Sequence, residues 1–190
     1  MNIATIALTG FFVWSGIAAP AFVPAGDSVK PILKAPEANL SVKLTAYNAV
    51  PEQTDSDPFT TASGAYSNPE VIAARSRDLA AELPFGTVIA IEAPEKSHSC
   101  GFKTVEHLIG YRVIADTMHE RMHNKIDVLF DPGDVVEIGV NGEPKKLVNP
   151  ARALGICSVT ARVVGKIDVK DIPTTQSELA MRVERTLAQK

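Results

Sequence analysis

The sequence predicts a mainly β domain, a sandwich or barrel of short strands, with a few short helices and a C-terminal helix. Three observations predict it. Short runs rich in β-branched and aromatic residues recur between Ser41 and Val164. Turn residues separate them, at Pro51, Asp57-Pro58, Gly64, Asn68-Pro69, Pro84, Gly86, Asp131-Pro132-Gly133 and Asn141-Gly142. Sustained helical periodicity is confined to the tail, where Leu179, Val183 and Leu187 recur every four residues.

The chain has 190 residues, enough for one domain with a sizeable core. Its net charge of −3 gives no general field for nucleic acid or anionic lipid. All 19 basic and 22 acidic side chains lie beyond residue 26. The uncharged run Ile3–Ala19 is closed by Pro20 and Pro24. At about 17 residues it falls short of the roughly 20 that span a bilayer. Ala19-Pro20-Ala21 has the small-x-small form of a cleavage site, so residues 1–21 read as a signal peptide or, alternatively, an uncleaved anchor. Either exports the rest of the chain, to the periplasm or the extracellular space. Cys100 and Cys157 are then most simply a disulfide, whereas in the cytosol they would be two buried thiols.

Residues 22–40, with Pro24, Pro31 and Pro36, read as a linker. The domain spans 41–167, with strands expected at Val42–Tyr47, Val71–Ala74, Thr87–Ile91, Tyr111–Ala115, Ile126–Phe130, Val135–Val140, Lys145–Val148 and Ser158–Val164. Asn141-Gly142 is a two-residue hairpin signal. A short helix is expected over Arg77–Glu82, ending at Pro84. In the tail, 168–190, Thr175-x-x-Glu178 after Pro173 forms a capping box that starts the last helix.

Two clusters carry chemistry. His119-Glu120-Arg121-Met122-His123 matches the helical zinc-protease pattern. The β-like runs on either side leave only one turn between them, and no His comes after His123 to complete a ligand set. The second cluster is Asp116 and Asp127. Alternation places Asp127 opposite Ile126 and Val128, and places Asp116 with Arg112 and Ile114, opposite Val113 and Ala115. Asp is depleted in strands, so a mid-strand Asp needs solvent or a task. Paired carboxylates are the usual equipment for cleaving glycosidic bonds; a solvated edge-strand aspartate is the plain alternative.

The stretch Leu44–Phe130 resembles the three-aspartate domain, a double-psi β-barrel of bacterial cell-wall proteins. Its kin are rare-lipoprotein-A barrels, the C-terminal part of membrane-bound lytic transglycosylase A and, more distantly, expansins. The resemblance runs through Leu44-Thr45-Ala46-Tyr47, Glu52-Gln53-Thr54-Asp55-Ser56-Asp57-Pro58-Phe59, Thr61-Ala62-Ser63-Gly64 and Val71-Ile72-Ala73. It continues through Leu83-Pro84-Phe85-Gly86-Thr87, Val113–His119 and Asn124–Val128. It implies a six-stranded barrel, from which this chain departs by two hairpin insertions, at 92–110 and 133–148. It implies Asp78, Asp116 and Asp127 as the three aspartates. Asp127 would be the acid/base, its pKa raised by a neighbour such as Asp116. Tyr47, Thr61 and Ser63 would line the groove. No metal or cofactor is implied. The implied partner is the glycan strand of peptidoglycan; membrane contact is expected only through the N-terminal segment, if uncleaved. Three functions are weighed: glycan cleavage, as lytic transglycosylase or hydrolase; non-catalytic, expansin-like wall binding; and zinc hydrolysis through His119, Glu120 and His123.

Overall fold

The computed structural model describes residues 30–51, 57–93, 100–139 and 145–188. The barrel strands are β1 (Asn39–Asn48), β2 (Ile72–Arg75), β3 (Thr87–Glu92), β4 (Tyr111–Thr117), β5 (Lys125–Phe130) and β8 (Cys157–Lys166). A separate ribbon pairs β6 (Val136–Ile138) with β7 (Lys146–Val148). The helices are α1 (Phe102–Ile109), α2 (Pro150–Leu154) and α3 (Gln176–Ala188).

The six strands close in the order β1-β5-β2-β4-β3-β8, and closure leaves them no unpaired edge. Strand β5 stands between β1 and β2, parallel to the first and antiparallel to the second. Strand β2 likewise stands between β4 and β5, parallel to the first and antiparallel to the second. These are two interlocked ψ motifs, so the barrel is double-psi. A pseudo-two-fold relation of topology exchanges β1, β2 and β3 with β4, β5 and β8, although the sequence shows no repeat.

Alternation sorts the side chains of the wall into two clusters. Leu44, Ile114, Ile126, Val128 and Phe130 pack with Phe102, Val105 and Leu154 from α1 and α2. Val71, Val88, Val113 and Leu129 pack on the other face with Leu179 and Val183 of α3. Leu179 and Val183 are fully buried, and each contributes roughly 1.5–3 kcal/mol through burial. Thr175 caps this helix as expected, its Oγ1 accepting from Glu178 N at 3.3 Å. Glu178 turns instead to Arg182, one turn further on.

The hairpin β3–β4 is long because its connection contains α1. The sequence pattern suggests only an extended insertion there. Phe102, Val105 and Ile109, at i, i+3 and i+7, bury against the core and make the segment helical. Cys100 and Cys157 are joined in a disulfide, with Cα atoms 5.5 Å apart, and tie the entry of α1 to the start of β8. The short helix expected over Arg77–Glu82 is a 3-10 turn, Arg77–Leu79. Helix α2 begins at Asn149, whose side chain accepts from Ala151 N, with Pro150 in the first turn.

Residues 30–38 depart from the free linker expected over 22–40. Leu33 exchanges two backbone hydrogen bonds with Lys166, and Val163 N donates to Ala38 O. Ile32 is buried. Residues 1–21, read above as a signal peptide or anchor, the start of the expected linker, Glu52–Ser56 and the expected hairpin signal Asn141-Gly142 lie outside the described residues. Among the described residues no helix is long and apolar enough to cross a membrane.

Candidate active site

The site is built on one row across four strands. The registers pair Thr45 with Asp127, Asp127 with Ala74, and Ala74 with Asp116. Paired positions on neighbouring strands share a face. Thr45, Asp127, Ala74 and Asp116 therefore face the same way, on the side of the wall that carries Leu129 and Tyr47. Strand spacing puts the two aspartates roughly 9–10 Å apart at the backbone. Ala74 is the residue between them in the row.

This row corrects the strict alternation expected for β4. The register steps from Ala73–Ile114 to Ala74–Asp116, so Ala115 is an extra residue, a β-bulge. Without it Asp116 would face the Arg112–Ile114 side. With it, Asp116 turns to the face of Asp127. Bulges in parallel pairs are rare, and here one re-aims a carboxylate.

Asp127 is largely enclosed. Its Oδ1 accepts a hydrogen bond from Thr45 Oγ1 at 2.8 Å. Burial pushes its pKa up to about 6, and the Asp116 charge adds to the rise, against the Thr45 hydrogen bond and the Lys125 cation. The Oδ2 oxygen is left to carry the proton. A carboxyl group of this kind holds or releases a proton near neutral pH, as a general acid/base must.

Asp116 has a different task. Its Oδ2 accepts from Tyr47 Oη at 2.9 Å, and its Oδ1 accepts from Ala62 N at 2.9 Å and Thr117 N at 2.8 Å. Three donors hold one carboxylate, which in turn fixes the loop of residues 61–65. Burial pushes the Tyr47 hydroxyl strongly up, and the adjacent Asp116 charge adds to this, so Tyr47 stays a donor. The loop closes on itself through Thr61 N to Ala65 O and Gly64 N to Thr61 O, both at 2.9 Å. Gly64 takes φ +83°, which suits glycine. Ser63 N donates to Ala115 O, so the loop also sits on the bulge. The Thr61 and Ser63 hydroxyls lie 3.0 Å apart.

Of the three expected aspartates, the structure brings two together. Asp78 stands apart in the exposed turn after β2. Its Oδ2 accepts from Asn124 N at 2.9 Å, holding the β4–β5 connection where Asn124 takes φ 49°. The Ser76 hydroxyl chiefly, with the Asn124 amide, lowers its pKa. In this turn it braces the β4–β5 connection. Thr45 is the site residue that sequence reasoning misses. Its signal is the pairing opposite Asp127, which needs the β1–β5 register.

The segment His119–His123 is a turn, not a helix. His119 and His123 are exposed. His119 Nδ1 accepts from Arg121 N at 3.3 Å, His123 Nδ1 lies 3.9 Å from Asp78, and Glu120 lies 3.6 Å from Arg77. The i, i+4 face that would aim both imidazoles at one metal is missing. Among the described residues no group of three His, Cys, Asp or Glu side chains converges as a metal site.

No family model matches the chain, and no curated protein or solved structure matches it.

Proposed function

We propose that the protein cleaves glycosidic bonds in the glycan strands of peptidoglycan, with Asp127 as the acid/base. The observation that carries this reading is the Asp127 carboxyl, held by Thr45 and raised to about 6 in an enclosed position beside a second aspartate that accepts three hydrogen bonds. Such a group is partly protonated in mildly acidic to neutral solution. The resemblance of the surrounding motifs to the three-aspartate domain supplies the substrate class.

In this reading protonated Asp127 gives its proton to the glycosidic oxygen. The C1–O bond breaks, the leaving sugar departs as an alcohol, and positive charge develops at C1. The Asp127 carboxylate then takes a proton from the attacking hydroxyl. If that is the sugar's own hydroxyl, the product is an anhydro sugar. If it is water, the product is a reducing end. Asp116 is engaged by three donors and positions the 61–65 loop. With Asp116 engaged by three donors, the intramolecular outcome is favoured, since attack by water at C1 commonly enlists a second free carboxylate. Export to the cell-wall space goes with this reading, and the Cys100–Cys157 disulfide suits an oxidising compartment.

The test is product analysis. Incubation of the protein with purified insoluble peptidoglycan should release soluble fragments ending in anhydro sugars, identified by mass. Sedimentation with the wall without any soluble product would favour the non-catalytic, expansin-like reading instead.

A further inference from the structure

We infer that a cleft beside the 61–65 loop, walled by the segment leading into α3, is a second binding subsite for glycan, taking a sugar that bears a carboxylate. The cleft holds about 510 Å³, within the range of small-molecule sites. One wall is the loop through Ser63 and Tyr66; the other is residues 168–174. Two hydrogen bonds brace the walls against each other: Asn68 Nδ2 to Thr174 O at 2.8 Å, and Gln176 N to Glu70 Oε2 at 2.9 Å. The cleft is therefore built, not a gap between loose segments.

Its position is set by the site. Ser63 lines the cleft, sits on the Ala115 bulge through its backbone N–H, and belongs to the loop that Asp116 fixes through Ala62 N. Ser63 thus joins the cleft to the loop that Asp116, the neighbour of Asp127 in the row, holds in place.

The lining has three kinds of group. Tyr66 is 66% exposed, unusual for so large an aromatic, and its ring offers a flat apolar surface with a polar tip. Sugar rings present C–H faces that pack on such a surface. Asp168 keeps one carboxylate oxygen on Lys170 N at 3.0 Å and has another to accept from sugar hydroxyls. The Lys170 ammonium is exposed and forms no ion pair among the described residues. An exposed aromatic ring, a hydroxyl acceptor and a cation outside any ion pair among the described residues suit a saccharide with an acidic substituent. The tail segment thus contributes recognition as well as packing.

This subsite rests on the glycan reading proposed for the protein, and one experiment separates the two. Binding is measured in the Asp127→Asn background, first to purified insoluble peptidoglycan, then to soluble acidic glycan fragments and to an uncharged N-acetylglucosamine oligomer. Tyr66 and Lys170 are exposed, so their replacement leaves the fold intact. Tyr66→Ala should weaken binding of both soluble ligands about five- to tenfold. Lys170→Ala should weaken the acidic fragments by a similar factor and leave the uncharged oligomer unchanged. Equal binding by Asp127→Asn alone and by both added variants overturns the subsite and leaves the glycan reading standing. Absence of any glycan binding by folded Asp127→Asn overturns both.

Discussion

Asp127 and Asp116 face the same side of the barrel wall, with Ala74 between them, because β4 carries one extra residue at Ala115. The bulge divides two carboxylates by role. Asp116 is bonded to Tyr47, Ala62 and Thr117, while Asp127 keeps a single bond to Thr45 and a raised pKa.

The Thr45 hydroxyl stabilises the charged form of Asp127. Thr45→Val keeps the shape and removes the donor. The Asp127 pKa should rise by about one unit above its starting value, since hydrogen bonds to charged groups contribute about 1.5–3 kcal/mol. Carboxyl carbon chemical shifts measured against pH check this.

Ala74→Ser places a hydroxyl in the row between the aspartates. A donor to the Asp127 carboxylate should lower its pKa. The pH at which acid catalysis falls off should move down with it. The pH profile of fragment release reads this shift, and an unchanged profile would show that the introduced hydroxyl donates elsewhere.

The raised pKa of Asp127 also affects stability. Its folded value of about 6 exceeds the ordinary value of 3.8. Between those values the native state holds a proton that the unfolded chain has lost. The stability contributed by this group is therefore full below about pH 4 and is lost as pH rises through 6. By linkage the loss at pH 7 is up to about 3 kcal/mol. Asp127→Asn removes it. The variant should melt above the wild type at pH 7, with the gap closing by pH 4.

Asp116→Ala leaves three donors without their acceptor. The loss should be about 2–4 kcal/mol in denaturant unfolding, with the 61–65 loop gaining early amide exchange. An exchange pattern unchanged in that loop would contradict its anchoring by Asp116.

The disulfide spans 57 residues of sequence. Chain entropy predicts about 4 kcal/mol from closing such a loop. Replacing both Cys100 and Cys157 by Ala should lower the denaturant midpoint and make melting insensitive to reductant.

Much of the fold is legible in the sequence because the strands carry strong local signals. Turn residues at Pro84, Gly86 and Asp131-Pro132-Gly133 bound them, and six of the expected runs form the barrel within a few residues. Helix α1 is harder to see, since Phe102, Val105 and Ile109 span only eight residues and declare themselves by packing. Of the site, Asp127 is visible as an aspartate against the strand pattern. Thr45 is not, because it joins Asp127 through a register between strands 82 residues apart in sequence. The facing of Asp116 is hidden because a bulge leaves no mark in residue types: Ala115 looks like any small strand residue. Asp78 matches by position and motif, yet its contacts to Asn124 and Ser76 place it in a turn.

The most direct measurement compares wild-type protein and Asp127→Asn on purified peptidoglycan at about pH 6, with release of soluble glycan fragments as the readout. The account predicts release by the wild type, and at least about a hundredfold less by Asp127→Asn, the loss expected on removing a general acid/base, with binding to the wall retained. Equal release by the two proteins would contradict it.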